Sequence, residues 1–263
     1  EVMLVAAFDA LFNGWTIDSQ LNARISQYAE NVYFGKPSGL MDQMASSVGG
    51  LVYIDFADPK NPIVEKVDYD FAHSGYTLCT IDSGADHADL TDEYAAMPVE
   101  MKAVAAFFGK EVLHDVDEAA FYRHIAEVRK VTGDRAVLRA IHFFNENRRV
   151  KSQVRALKDG DFEAFLHLVN ASGMASWTLL QNVTPAGYIQ KQDMAFTIAL
   201  CQQLLEGEGA VRIHGGGFAG TALALVPDHL QQSFRHQLEQ ALGVGKCRFL
   251  SVKNPLAAGG TDC

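Results

Sequence analysis

Cysteine is scarce and unpatterned. Cys79, Cys201, Cys247 and Cys263 form no CxxC pair and no zinc-finger spacing. Neither a disulfide framework nor a structural zinc is expected, and a reduced, cytoplasmic compartment is. Cations are outnumbered: 22 Lys and Arg against 32 Asp and Glu leave a net charge of −10. That balance argues against nucleic acid as a partner, because non-specific affinity for a phosphate backbone needs clustered cations. Trp15 and Trp177 stand alone and offer no stacking platform. No apolar run is long enough to span a bilayer, so no membrane partner is expected. HExxH, GxSxG and GxxxxGK[ST] are all missing, as are internal repeats and low-complexity tracts. What is there is 263 residues of 48% hydrophobic composition, enough apolar material for one large domain or two smaller ones.

The segment from Glu1 to Phe12 is almost all apolar, yet no basic n-region or cleavage site makes it a signal peptide. A helix apolar on nearly every face is expected to be buried on several sides. Nothing precedes it to cap or cover it. The expectation is therefore a piece of a longer protein, truncated at its N-terminus, with residues 1–12 exposing apolar surface.

After an Asn13-Gly14 turn, a helix is expected over 17–33 with Leu21, Ile25, Tyr28, Ala29 and Val32 on one stripe. Gly35-Lys36-Pro37-Ser38-Gly39 breaks it, and a short polar segment leads to Gly49-Gly50. Strands are expected over 51–56, 63–67 and 76–81. Helices follow over 94–108, 118–131, 135–157, 162–180 and 190–205, then strands over 210–213 and 221–226, a helix over 227–242 and a strand over 247–252. Strands, a run of helices, then strands and a helix again mark an α+β chain rather than regular βαβ alternation.

The densest polar signal is Ala29-Glu30-Asn31-Val32-Tyr33-Phe34-Gly35-Lys36-Pro37-Ser38-Gly39-Leu40-Met41-Asp42-Gln43. A glycine near the end of an apolar helix allows close approach of backbone to a ligand, and Asp42 then sits where polar atoms converge. On spacing alone the simpler reading is that Asp42 caps a helical turn and Glu30 is a solvated helix carboxylate.

This segment resembles the galactokinase family, whose version reads roughly A-E-N-x-F-V-G-x-x-x-G-I-M-D-Q. The family is a branch of the GHMP small-molecule kinases, with the homoserine, mevalonate and phosphomevalonate kinases. The resemblance is collinear from Glu1 to about Val252. It implies the GHMP kinase fold, with the remainder of an N-terminal α+β domain at 1–70 and a ferredoxin-like C-terminal domain at 71–263. It also implies transfer of the γ-phosphoryl group of ATP to the anomeric hydroxyl of galactose, with Mg²⁺ as the metal. Asp42 matches the catalytic aspartate facing that hydroxyl, Glu30 the carboxylate that helps hold Mg²⁺, and Gly39 the backbone position that closes on the sugar. Such roles suit phosphoryl transfer, whose charge-rich transition state needs alignment, neutralisation and a proton acceptor.

Two further segments fit the same resemblance. Ile81 to Tyr94 gathers five carboxylates around His87, a composition that suits a metal cluster or, more simply, an acidic loop before a helix. In the family an early tyrosine of that helix hydrogen-bonds the sugar, and Tyr94 falls there. Gly215, Gly217 and Gly220 spell the dinucleotide fingerprint GxGxxG, but a strand-like run from Thr221 to Val226 stands where a Rossmann helix is required. A glycine hairpin is the plain alternative. The segment resembles the family's last motif, usually M-T-G-G-G-F-G-G, a backbone loop bordering the active site, in which Gly215, Gly216 and Gly217 approach the cofactor closely.

Departures from the family are specific. Ala95 and Ala96 stand where paired arginines commonly follow the tyrosine, His214 replaces a threonine, Ala219 a glycine, and Asp82 an asparagine. The family's upstream sugar-binding and phosphate-binding segments are not in this sequence, so no productive ATP binding is expected of the chain alone. The alternatives are a kinase for another hexose and a non-catalytic sugar- and ATP-binding sensor on the same fold.

Overall fold

A computed structural model describes residues 1–35, 38–85 and 90–252, and Glu1–Tyr69 and Asp70–Ser251 form separate units in it. The acidic stretch 86–89, with His87, lies outside the described residues, as does everything after Val252.

The first unit begins with α1 (Val2–Phe8), which runs into a π turn over Asp9–Asn13. Its polarity is inverted. Asp9 is buried and accepts from Asn13 Nδ2 at 2.9 Å, Thr16 N at 3.2 Å and Ile17 N at 3.1 Å, which fixes the chain's reversal at Gly14. Met3, Leu4, Phe8, Leu11 and Phe12 are exposed, Phe12 by 81%.

Asp18 caps α2 (Ser19–Tyr28) by accepting from Leu21 N at 2.7 Å, and a second π turn covers Ala29–Tyr33. The apolar stripe is not the buried face of the helix: Leu21, Ile25, Tyr28 and Val32 are exposed, and Asn22, Ala23 and Ser26 are buried. Small side chains there seat α2 against α3 (Met41–Val48), with Ala23, Leu40, Met44 and Val48 forming a core with β1 (Leu51–Asp55) and β2 (Ile63–Val67). Periodicity selects the greasier face, whereas close helix packing selected the smaller one. The segment read as short and polar before Gly49 is the helix α3. β1 and β2 pair antiparallel, Leu51 opposite Val67.

The second unit opens on β3 (Tyr76–Asp82) and then α4 (Thr91–Phe107). The helix expected over 118–131 is two, α5 (Glu118–Arg123) and α6 (Ile125–Thr132), because His124 leaves the helical conformation. α7 (Asp134–Lys158), α8 (Phe162–Ala175) with a terminal π turn over Ser176–Leu180, and α9 (Asp193–Leu204) complete the helical run. β4 (Ala210–Ile213), β5 (Thr221–Pro227), α10 (Gln231–Leu242) and β6 (Cys247–Leu250) follow. The sheet order is β4-β5-β3-β6, antiparallel throughout. With helices between β3 and β4 and between β5 and β6, this is the ferredoxin-like arrangement. Cys79, Ile81, Ile198, Val211, Ile213, Phe234 and Leu238 fill the space between sheet and helices. α8 crosses β4 so closely that a Cβ on Gly173 would lie 2.8 Å from the Val211 carbonyl oxygen.

α7 carries charge on a helical stripe that packing takes inward. Arg135, Arg139, His142, Glu146 and Arg149 recur at alternating steps of four and three, so one face holds them all. Arg139 is completely buried. Its Nη1 donates to Glu100 Oε2 at 2.9 Å and its Nε to the Leu180 carbonyl at 3.1 Å. Glu100 also takes Arg135 Nη2 at 2.6 Å, and Glu93 accepts from Ala186 N at 3.2 Å. These bonds join α4, α7 and the loop after Leu180.

Candidate active site

In the first unit the π turn that follows α2 presents Glu30 and Asn31 toward the segment entering α3. Ser38 is held from several sides. Its Oγ donates to Glu30 Oε2 at 2.8 Å, its backbone N–H donates to Asn31 Oδ1 at 2.8 Å, and its carbonyl accepts from Gln27 Nε2 at 3.0 Å. Gln43 Nε2 reaches the same Glu30 oxygen at 2.7 Å. Glu30 is thus half-buried and accepts on one oxygen from both Ser38 Oγ and Gln43 Nε2. The bonds to Ser38 also fix where Gly39 stands, one residue on.

Asp42 lies in the first turn of α3, next to this set, with its side chain exposed. Among the described residues no hydrogen bond or ion pair holds its carboxylate, and it does not act as the side-chain cap of the helix. The capping reading of Asp42 therefore has no support, and the carboxylate is open to solvent.

The donors around Glu30 suit a hard cation. The Glu30 carboxylate, the Ser38 hydroxyl and Gln43 Oε1, a buried amide oxygen without a donor among the described residues, are all oxygens. Mg²⁺ takes one or two carboxylates and fills its other positions with water and substrate phosphate. Among the described residues no group of three His, Cys, Asp or Glu gathers to hold a metal without such help.

In the second unit, β4 and β5 are joined by the glycine loop, so GxGxxG here is an antiparallel hairpin and not a dinucleotide fold. Tyr94, in the first turn of α4, donates its hydroxyl proton to the Gly217 carbonyl at 2.6 Å. Its ring stands edge-on to Phe218 at 5.4 Å between centroids. Burial raises its pKa above the usual phenol value. Asn182 clamps the loop from the other side, donating from Nδ2 to the Gly216 carbonyl at 3.1 Å and accepting from Phe218 N at 2.5 Å. Gly217 has φ +97°, and a Cβ there would lie 2.3 Å from the Asn182 carbonyl oxygen, so only glycine fits. Gly215 and Gly216 remain exposed at the tip.

Thus Glu30, Gly39 and Asp42 are neighbours within the first unit, and Tyr94, Gly216 and Gly217 within the second. Reading the sequence missed Gln43 as the partner of Glu30 and Asn182 as the clamp of the glycine loop. Gln43 closes the motif that was singled out, whereas Asn182 lies in a stretch with no motif at all. At two of the departures from the family, Asp82 pairs with Lys246 at 2.6 Å, which lowers its pKa, and His214 Nδ1 lies 3.0 Å from Thr221 Oγ1. A pocket of about 210 Å³ lined by Leu90, Val183, Tyr188, Met194 and Phe218 holds none of the expected site residues.

No family model matches the chain. Its sequence is similar to the galactokinase of Actinobacillus pleuropneumoniae serotype 5b, at 30% identity over 226 residues, 84% of this chain and 56% of that protein. The galactokinase of Mycobacterium tuberculosis strain H37Rv is 32% identical over 222 residues, 81% of this chain and 55% of that one. Among solved structures, Lactococcus lactis galactokinase complexed with galactose superposes with a TM-score of 0.72 at 22% identity, covering 97% of this chain and 64% of that one. L. major mevalonate kinase in complex with R-mevalonate gives 0.60 at 14% identity, with the same coverage. The chain spans a little over half the length of the curated relatives it matches. With the Ala29–Gln43 segment, the ferredoxin-like sheet and these relatives together, the chain belongs to the galactokinase family of GHMP kinases.

Proposed function

We propose that this chain carries the proton-accepting and metal-holding part of a galactokinase site, which transfers the γ-phosphoryl group of MgATP to the anomeric hydroxyl of galactose. Residues 1–70 then belong to the sugar- and ATP-binding domain and 71–263 to the C-terminal kinase domain, in a cytoplasmic enzyme. The observation that carries this reading is the proximity in sequence and structure of an exposed Asp42, unheld among the described residues, and a Glu30 fixed by Ser38 and Gln43. Asp42 accepts the hydroxyl proton as the phosphoryl group arrives. Glu30 holds Mg²⁺, which supplies neutralisation of the phosphate charge. Within the first unit Gly39 lines the sugar; within the second, Tyr94 sets the position of the glycine loop Gly215 to Gly217.

The test is ADP release from MgATP with a panel of hexoses. It is run on the chain alone and on a fusion placing the upstream part of the A. pleuropneumoniae galactokinase before residue 1, each beside Asp42→Asn. The expected result is galactose turnover by the fusion, lost in Asp42→Asn, and none by the chain alone. Turnover of another hexose but not galactose corrects the substrate. Sugar binding without turnover by either form turns the reading to a sensor.

A further inference from the structure

β6 is an edge strand of four residues, and on its inner face Cys247 meets Cys79 of β3. In the register, Ile81 stands opposite Cys247 and Phe249 opposite Cys79, so the two cysteines are diagonal neighbours on one face of the sheet. Their sulfurs are 3.3 Å apart, in hydrogen-bond contact and not bonded. Neither has a part in the site described above.

We propose that Cys79 and Cys247 are an oxidation site, a thiol pair that a hydroperoxide converts into a cross-strand disulfide fastening edge strand β6 to β3. Cys247 is the attacking member. It belongs to the strand with one free edge, it is 4% exposed where Cys79 and Cys201 are fully covered, and its pKa is lowered by the Cys79 thiol and the Arg235 guanidinium. Cys79 moves the other way, pushed up by the same contact and by burial. An attacking thiolate beside a resolving thiol is the arrangement that peroxide oxidation needs.

The step balances. The Cys247 thiolate attacks one peroxide oxygen, the O–O bond breaks, and hydroxide leaves to take up the proton that Cys247 lost. The resulting sulfenic acid is attacked at sulfur by Cys79, the S–S bond forms, and its oxygen leaves as water with the Cys79 proton. Two thiols are oxidised by two electrons and one hydrogen peroxide is reduced to two waters. Cys201 lies in the same core, but burial pushes its pKa up to about 12, so it stays a thiol and serves as the internal control.

The experiment uses the whole chain carrying Cys263→Ser, so that the terminal thiol does not compete. After graded hydrogen peroxide, the protein is denatured, alkylated and digested. The expected result is a fall from three alkylated cysteines to one, Cys201, with a peptide linking Cys79 to Cys247 that dithiothreitol reverses. In Cys79→Ser, Cys247 is expected to be trapped as its dimedone adduct. Full alkylation of both cysteines at peroxide levels that oxidise methionine overturns the proposal, and so does a linkage through Cys201. The linkage mapping needs no core variant, so a Cys79→Ser protein that fails to fold leaves the main result intact.

Discussion

Gln43 Nε2 donates to Glu30 Oε2 across 2.7 Å, tying the first turn of α3 to the π turn that ends α2 through a half-buried carboxylate. Removing a donor to a charged group costs about 1.5–3 kcal/mol. Gln43→Leu is expected to lower the unfolding free energy of the first unit by that order, read as a lower urea midpoint at unchanged slope. Gln43→Glu sets two carboxylates together, so its loss is larger at pH 7 and shrinks as pH falls through the carboxylate range. Urea titrations at pH 7 and pH 4.5 separate the two, and equal midpoints for both variants and the parent would show that the bond contributes nothing.

Asp42 is expected to behave in the opposite way. Its exposed carboxylate holds no structural bond among the described residues. Asp42→Asn should therefore leave stability within about 0.5 kcal/mol of the parent. In the active fusion, loss of a general base should lower kcat by about 10²–10⁴-fold. A large drop in melting temperature would instead make Asp42 a structural residue.

Tyr94 and Gly217 give a test inside the second unit. Tyr94→Phe keeps the ring against Phe218 but removes the 2.6 Å bond to the Gly217 carbonyl, a loss of about 1 kcal/mol. Gly217→Ala forces a side chain into φ +97° and into the Asn182 backbone, and strain of this kind costs about 1–3 kcal/mol before any clash is relieved. Calorimetry should rank Gly217→Ala as the more damaging change.

Much of this was legible in the sequence where chemistry and local geometry agree. The Ala29–Gln43 segment names Glu30 and Asp42, and the antiparallel β4–β5 pair is forced by a strand-like run after the glycines. The buried face of α2 was not legible because hydrophobic periodicity reports greasiness, and that face is small: Asn22, Ala23 and Ser26. The helix α3 was missed because its buried residues are Gln43, Met44 and Val48, too few for a stripe. Asn182 was invisible because its partners lie 34 residues away, at Gly216, and only the fold makes them neighbours.

Arg139 and Glu100 supply a sharper case. The guanidinium is fully buried, and burial lowers its pKa while Glu100 opposes that shift. Glu100→Ala takes the carboxylate from a fully buried guanidinium, at a cost of about 3–5 kcal/mol, whereas Arg139→Ala costs less, because Arg135 still holds Glu100 at 2.6 Å. Arg139→Met combined with Glu100→Leu removes both charges and should recover much of the loss. A double-mutant cycle by urea denaturation measures the coupling, and additive single effects would mean that the pair acts independently.

His142 makes stability depend on pH. It is 8% exposed, its Nδ1 has no partner, and around it stand Glu146 and the guanidinium groups of Arg149 and Arg212. Burial lowers its pKa first, the two arginines lower it further, and Glu146 opposes them. In the unfolded chain the imidazole takes a proton near pH 6.5, whereas the folded protein takes it only at lower pH. Between those two values the unfolded state binds more protons, so stability falls as pH falls, by at most about 1.4 kcal/mol per pH unit for one site. Above pH 6.5 the neutral form is present in both states and the contribution is complete. Asp82, held below the usual carboxylate range by Lys246, loses its contribution only at more acidic pH, so the two windows separate. Melting temperatures of the parent and of His142→Gln, measured from pH 7.5 to pH 5, should diverge in slope below pH 6.5, with the parent falling more steeply. Parallel curves would mean that His142 is protonated in the folded protein as readily as in the unfolded chain, and that the two arginines do not act on it.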